Sequence, residues 1–122
     1  MLNDKTIGMI GTGNMANALM DGLIRSGATK AENIICSDAN DRQLEIARDK
    51  FNVATTPDNV EAVKRSDIVI YAIKPQIMAS VLKETAEYLD KDKLIISIAA
   101  GVPLAAIESL LRKDLRLIRV MP

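Results

Sequence analysis

The clearest candidate for chemistry is a glycine-rich segment near the start of the chain, Gly11-Thr12-Gly13-Asn14-Met15-Ala16. It has the form G-x-G-x-x-G/A and lies between an apolar segment typical of a strand and an amphipathic segment typical of a helix. The first glycine permits a tight turn, the second lets the backbone approach a pyrophosphate, and the alanine lets the helix pack close to the strand. The N–H groups and the positive dipole end of that helix would face the phosphates. The segment therefore predicts a dinucleotide site, and the alternative is a glycine-rich turn that binds nothing.

A polar group at the end of the second predicted strand bears on which dinucleotide would bind. Asp38 stands where an acidic residue can accept hydrogen bonds from the adenosine ribose, and its charge would repel a 2′-phosphate, which favours NAD(H). Ser37, Asn40 and Arg42 could instead bind and neutralise that phosphate, which favours NADP(H). The residues leave NADP(H) and NAD(H) open, and Asp38 could equally do no more than cap a turn.

Two further segments follow the fourth and fifth predicted strands, Ala72-Ile73-Lys74-Pro75 and Ala99-Ala100-Gly101. In a doubly wound sheet, ligands lie outside the carboxyl ends of the strands. Lys74 could reach the cofactor or a substrate carboxylate, or it could be a solvated lysine before a proline that opens a helix. The small residues of the second segment leave room for a nicotinamide ring, although they also suit close packing. Asn59 could bond a ribose or serve only in the first turn of a helix.

The elements that must position these residues alternate along the whole chain. Near-continuous apolar runs predict buried parallel strands, at residues 5–10, 33–37, 53–54, 67–72, 94–98 and 115–120. Helical patterns separate them, so the sequence predicts an α/β domain. The expected architecture is a doubly wound, Rossmann-type parallel sheet of six strands, in the order 3-2-1-4-5-6 with helices on both faces.

Apolar spacing of three and four residues predicts which helix faces turn inward. In the first helix the expected inward residues are Met15, Ala16, Leu19, Met20, Leu23 and Ile24. In the helix opened by Pro75 they are Ile77, Val81, Leu82 and Leu89, and in the last helix Leu104, Ile107, Leu110 and Leu111. Asn40 with Gln43 predicts a capped start for the second helix, and Pro57 or Asp58 opens a brief helix that ends near Arg65.

Composition limits the classes of function. The 122 residues carry 16 basic and 16 acidic side chains, so no basic excess points to nucleic acid or an anionic membrane. With no histidine in the sequence, Ser-His-Asp catalysis and His-ligated metals are excluded within this chain. One cysteine, Cys36, is compatible with a reducing cytoplasm and is expected to be a core residue. No apolar run approaches the roughly 18 residues of a membrane helix, and we expect one domain over residues 1–122.

Four blocks of the sequence resemble pyrroline-5-carboxylate reductase in their order and spacing. They are Ile7-Gly8-Met9-Ile10-Gly11-Thr12-Gly13-Asn14-Met15-Ala16, Ala72-Ile73-Lys74-Pro75-Gln76, Ser97-Ile98-Ala99-Ala100-Gly101-Val102 and Arg119-Val120-Met121-Pro122. The resemblance spans the whole chain and is far more specific than the glycine fingerprint alone. It implies NAD(P)H-dependent reduction of the cyclic imine 1-pyrroline-5-carboxylate to proline, the last step of proline biosynthesis.

The resemblance also implies roles for single residues. Residues 11–16 would hold the pyrophosphate and Asn59 the adenosine ribose. Ala72, Lys74 and Pro75 would lie near the nicotinamide ribose, and residues 99–102 near the ring. The family continues with a helical domain that forms the homodimer and supplies most substrate contacts, so this chain is expected to lack that domain and most of the activity. The alternatives are another oxidoreductase related to the β-hydroxyacid dehydrogenases, and a non-enzymatic dinucleotide-binding module.

Overall fold

The computed structural model describes residues 2, 4–99, 101–111 and 115–120. These residues form one six-stranded sheet in the order β3-β2-β1-β4-β5-β6, and every neighbouring pair is parallel. The strands are β1 (Ile7–Ile10), β2 (Ile34–Ser37), β3 (Ala54–Thr56), β4 (Ile68–Tyr71), β5 (Leu94–Ser97) and β6 (Arg116–Arg119). The predicted strand order 3-2-1-4-5-6 is confirmed.

Helices connect successive strands, as right-handed parallel crossovers require. They are α1 (Asn14–Arg25), α2 (Asp41–Phe51), α3 (Asn59–Arg65), α4 (Pro75–Thr85) and α5 (Leu104–Glu108), with single 3₁₀ turns at Ala31–Asn33 and Ala86–Tyr88. The predicted caps are confirmed, since the Asn40 side chain accepts from the backbone N–H groups of Arg42 and Gln43, and Asp58 accepts from that of Val60.

Two apolar cores lie on opposite faces of the sheet, because alternate residues of each buried strand point to opposite sides. On one face α1 and α2 cover Ile7 and Met9 of β1. On the other face α3, α4 and α5 cover Ile10 of the same strand. Helices therefore lie on both faces, as predicted.

Some strand and helix details differ from the predictions. Strand β3 begins one residue later than expected and extends to Thr56, because Thr55 and Thr56 pair with Cys36 and Ser37 of β2. In α1 the inward face is centred on Ala16 and Met20, and the prediction for Met15 is wrong, since 45% of it is exposed.

The phase of two other helices was also predicted incorrectly in part. In α4 the buried residues are Met78, Leu82 and Thr85, at spacings of four and three, which leaves Ile77 48% exposed. Leu89 is buried as expected but lies beyond the end of α4. In α5 only Ile107 is buried, and Leu104 at its first position is 37% exposed.

The described residues also bear on membranes and metals. Among them, no helix has the length and apolar character needed to cross a membrane. The same residues contain no group of three or more His, Cys, Asp or Glu side chains arranged to hold a metal ion.

Candidate cofactor-binding site

The turn between β1 and α1 requires glycine at its first position. Gly11 has φ +99°, a conformation that side chains disfavour. A Cβ built on Gly11 would lie 2.5 Å from the Ala72 carbonyl oxygen, so the turn also lies directly against the end of β4. The backbone N–H of Gly11 donates to the Ser37 carbonyl at 2.8 Å. The turn is therefore held between the carboxyl ends of β2 and β4.

The N-terminus of α1 is open. Its capping residue, Gly13, is extended (φ −79°, ψ −164°), and no described side chain caps the helix. A Cβ placed on Gly13 would meet no described atom within 4 Å. In contrast, α2 and α3 have their first N–H groups bonded by Asn40 and Asp58. Since α1 also lacks a carboxylate in its first turn, its free N–H groups suit an anionic ligand.

A cavity of about 360 Å³ lies beside this helix end. It brings together the ends of β4 and β5, which the parallel register places at one edge of the sheet, and the glycine-rich loop of residues 11–13, called the phosphate loop below after the role predicted for it. Its lining residues are Gly13, Asn14, Met15, Ala72, Ile73, Lys74, Ile98 and Ala99. This position is the switch point at which doubly wound sheets bind their ligands.

Two exposed side chains near helix starts, Met15 and Lys74, line this cavity. Met15 is exposed because it lines this cavity rather than the core. Lys74 is exposed, and its extended backbone (φ −66°, ψ 145°) precedes Pro75 at the first position of α4. The proline donates no N–H, so the start of α4 needs no capping side chain at that position.

Polar side chains at the end of β2 form two sets of hydrogen bonds. The buried Ser37 hydroxyl donates to Asn59 Oδ1 at 2.7 Å, and Asn59 Nδ2 donates to Glu84 Oε1 at 2.9 Å. Asp38 Oδ2 accepts from both the backbone N–H and the hydroxyl of Thr12, each at 2.9 Å. The structure thus brings Asp38 against the phosphate loop itself.

The remaining predicted residues, Arg42, Ala99 and Gly101, differ in their exposure and in their distance along the chain from the glycine-rich loop. Arg42 is exposed and forms an ion pair with Glu45 at 3.5 Å on the surface of α2. Ala99 is buried, and Gly101 adopts φ +74° in the turn before α5. Ala100 was also predicted to bind the cofactor and lies outside the described residues.

Sequence reasoning missed two residues at this edge, Ile98 and Glu84, and one contact of Thr12, a residue that it had included. Ile98 lines the cavity, although the sequence assigned it to the fifth strand. Glu84 holds the Asn59 amide from the last turn of α4, and no local pattern marks that contact. The hydroxyl of Thr12 bonds Asp38, which the free positions of the glycine fingerprint do not specify.

Two buried titratable side chains, those of Cys36 in β2 and Tyr71 in β4, lie in the sheet but do not line the cavity. Burial, with a further contribution from the charge of Asp38, raises the pKa of the Cys36 thiol from 9.0 to about 11. Burial likewise raises the pKa of Tyr71 to about 12, although the hydrogen bond to Thr85 opposes this shift. Cys36 is free and buried in the core, as expected from its place in β2.

A parallel sheet of this order, with an uncapped, glycine-led helix at its switch point, defines a dinucleotide-binding domain of Rossmann type. The chain belongs to the family described as "NADP oxidoreductase coenzyme F420-dependent", whose model matches residues 6–101.

Individual relatives agree with the resemblance found in the sequence. The chain is 42% identical over 121 residues to pyrroline-5-carboxylate reductase of Methanosarcina acetivorans, covering 99% of this chain and 45% of the relative. A solved pyrroline-5-carboxylate reductase from Coxiella burnetii matches with a TM-score of 0.92 at 35% identity, over 98% of this chain and 44% of that one. The Plasmodium falciparum enzyme, solved with NADP bound, matches with a TM-score of 0.86 at 28% identity, over 98% and 43% of the two chains. The chain thus spans less than half the length of the relatives it matches.

Proposed function

We propose that this chain is the dinucleotide-binding part of an NAD(P)H-dependent pyrroline-5-carboxylate reductase, which reduces 1-pyrroline-5-carboxylate to L-proline. The observation that carries the proposal is the 42% identity to a relative of that name across 99% of the chain. The similarity therefore includes the loop of α1 and the segments that line the cavity after β4 and β5. Residues 1–122 form a single NAD(P)-binding domain in this proposal.

The local geometry fits the cofactor. The pyrophosphate binds at the open N-terminus of α1, where a Cβ built on Gly13 meets no described atom within 4 Å beyond its chain neighbours. Ser37, Asp38 and Asn59 lie on the β2 side, where the adenosine ribose binds, and Arg42 lies beyond them on α2. On the β4 and β5 side, the segment of residues 72–75 and the turn of residues 99–101 border the nicotinamide half.

The chain's own residues bind and orient rather than react. The nicotinamide, when bound, supplies a hydride to the imine carbon, and a proton must reach the imine nitrogen. Met15, Ile73 and Ile98 give the cavity an apolar wall against which one face of the ring can pack. Lys74 is a basic residue among those that line the cavity, and it suits the substrate's carboxylate or the cofactor. We assign no catalytic acid and no metal ligand to these residues.

The proposal also covers partners and location. The substrate is a small carboxylated imine, the whole protein is a homodimer or higher homo-oligomer, and neither nucleic acid nor a membrane is a partner. We place the protein in the cytoplasm, where the buried free thiol of Cys36 is compatible with reducing conditions.

The test separates binding from turnover. Calorimetry on the purified 122-residue chain should give one site for NADPH or NADH. Oxidation of the cofactor with 1-pyrroline-5-carboxylate should be negligible in the chain alone and substantial in the complete gene product that contains it, with L-proline as the product identified by chromatography. A complete product that binds the cofactor but oxidises none of it with this imine contradicts the proposed substrate. Robust turnover by the isolated chain would instead place the substrate contacts among residues 72–122.

A further inference from the structure

The carboxylate of Asp38 is already bound on both oxygens within the chain. Oδ2 accepts from the N–H of Thr12 and from its hydroxyl, each at 2.9 Å, and Oδ1 accepts from the N–H of Asn40 at 2.8 Å. A carboxylate offers about four acceptor positions. Three of them are taken, so one position remains for a ribose hydroxyl, and Asp38 can accept from both hydroxyls of a ribose only if an internal hydrogen bond is given up.

The main partner of Asp38 is a residue of the phosphate loop itself. Thr12 stands between the two glycines and is completely buried. Its carbonyl accepts from Asn17 Nδ2 at 3.3 Å, while the neighbouring Gly11 N–H is bonded to Ser37. Since Thr12 is buried, loss of the carboxylate would leave its N–H without an acceptor, which is costly.

These contacts fix the direction in which the loop leaves β1. Gly11 must turn at positive φ, and Thr12 must then be held before Gly13 can begin α1 with its N–H groups free. The two hydrogen bonds from Thr12 to Asp38 join this loop to the start of the β2–α2 turn. Asp38 also closes that turn by accepting from the N–H of Asn40. Preorganised donors bind an anion better than donors that must first be ordered.

We infer that Asp38 is a positioning residue that holds Thr12 and so keeps the phosphate loop in its binding conformation, and that it does not choose between NADH and NADPH. This inference rests on the proposed dinucleotide site. If the charge of Asp38 repelled a 2′-phosphate, removing it would favour NADPH alone. If Asp38 holds the loop, removing it weakens both cofactors by the same factor, because they share the pyrophosphate.

The experiment compares calorimetric affinities for NADPH and NADH in matched variants of the 122-residue chain. Asp38→Ala should weaken both by about fivefold or more, corresponding to about 1 kcal/mol, with their ratio constant within about twofold. Asp38→Asn removes the same charge but keeps an amide oxygen for Thr12, so its effect should be smaller. Asp41→Asn removes a neighbouring charge in the first turn of α2 and should change neither affinity by more than about twofold.

Thr12 variants test the same contact from the other side. Thr12→Val removes only the hydrogen bond from the hydroxyl and should lower the affinity for both cofactors. Thr12→Ser keeps the hydroxyl and should retain most of the affinity of the unmodified chain. The double variant Asp38→Ala/Thr12→Val should bind each cofactor about as tightly as Asp38→Ala alone, since Asp38→Ala has already broken the hydroxyl contact that Thr12→Val removes.

A structural measurement makes the inference testable apart from cofactor binding. The Thr12 amide should exchange its hydrogen at least about tenfold faster in Asp38→Ala than in the unmodified chain, since that amide loses its acceptor. An unchanged exchange rate, or a rise in the NADPH:NADH affinity ratio of about fivefold or more in Asp38→Ala and Asp38→Asn, overturns the positioning role. If the unmodified chain binds neither cofactor, the proposed function fails, and the exchange rate still decides whether Asp38 holds the loop.

Discussion

The open space beside Gly13 allows binding to be separated from folding by one substitution, Gly13→Val. Gly13 has an ordinary φ of −79°, and a Cβ there would meet no described atom within 4 Å, so neither the backbone nor the first side-chain atom is strained. The expected loss of stability is that of a poorer helix cap, about 1 kcal/mol or less. The branched side chain would stand where the pyrophosphate approaches the first N–H groups of α1.

The expected loss of affinity follows from the contacts that this side chain blocks. A hydrogen bond to a charged group contributes about 1.5–3 kcal/mol. Losing one such bond corresponds to a fall in affinity between about tenfold and a hundredfold. Because NADH and NADPH share the pyrophosphate, both should be weakened.

The assay is calorimetric titration with each cofactor, together with a thermal melt followed by circular dichroism. Gly22→Ala serves as the matched control, since Gly22 lies in the same helix, is exposed and also has open space at its Cβ position. It should leave both affinities unchanged. A folded Gly13→Val chain that binds NADPH as tightly as the unmodified chain would refute the assignment of this loop as the phosphate site.

Three further predictions concern stability. Gly11→Ala should lower the free energy of unfolding by about 2 kcal/mol or more, because it combines positive φ with a Cβ 2.5 Å from the Ala72 carbonyl oxygen; urea unfolding that matches the unmodified chain would contradict this. Gly22→Ala should raise the free energy of unfolding by about 0.5–1 kcal/mol through better helix propensity, which the same titration measures. The pKa values of Cys36 and Tyr71 are raised from 9.0 to about 11 and from 10.0 to about 12, so the folded state holds these protons more tightly than the unfolded chain. Their contribution to the free energy of unfolding should therefore be complete below about pH 9 and lost as the pH rises towards 12. A free energy of unfolding that stays constant over this range would show that folding does not raise the two pKa values.

Sheet order was predictable because it depends on patterns that are local in the sequence. Each buried strand is a short apolar run, and each crossover helix separates two of them, so parallel pairing and the switch point follow from general rules. The shape of the glycine-rich turn was predictable for the same reason, since the different needs at Gly11 and Gly13 are both visible within six residues; that the turn binds phosphate stays a prediction. The structure supports this difference, because a Cβ is excluded at Gly11 and meets open space at Gly13.

What the sequence could not indicate is which partner a polar side chain takes. Asp38 bonds Thr12 across 26 positions, and Asn59 bonds Glu84 across 25. Both contacts depend on how the carboxyl ends of separate strands and helices meet. The predicted helix phase was wrong for a related reason, since Met15 and Ile77 continue an apolar periodicity but lie exposed in the first turns of their helices.

The two sides of the loop differ in chemistry, and this difference supports the orientation proposed for the cofactor. On the β2 side the contacts are polar, with Ser37 and Asn59 joined by a 2.7 Å hydrogen bond. On the side of β4 and β5 the cavity wall is largely aliphatic, formed by residues such as Ile73 and Ile98. A ribose and its phosphates need hydrogen-bonding groups, whereas hydride transfer benefits from a surface that excludes water. This contrast therefore favours the proposed orientation, with the adenosine over β2 and the nicotinamide over β4 and β5.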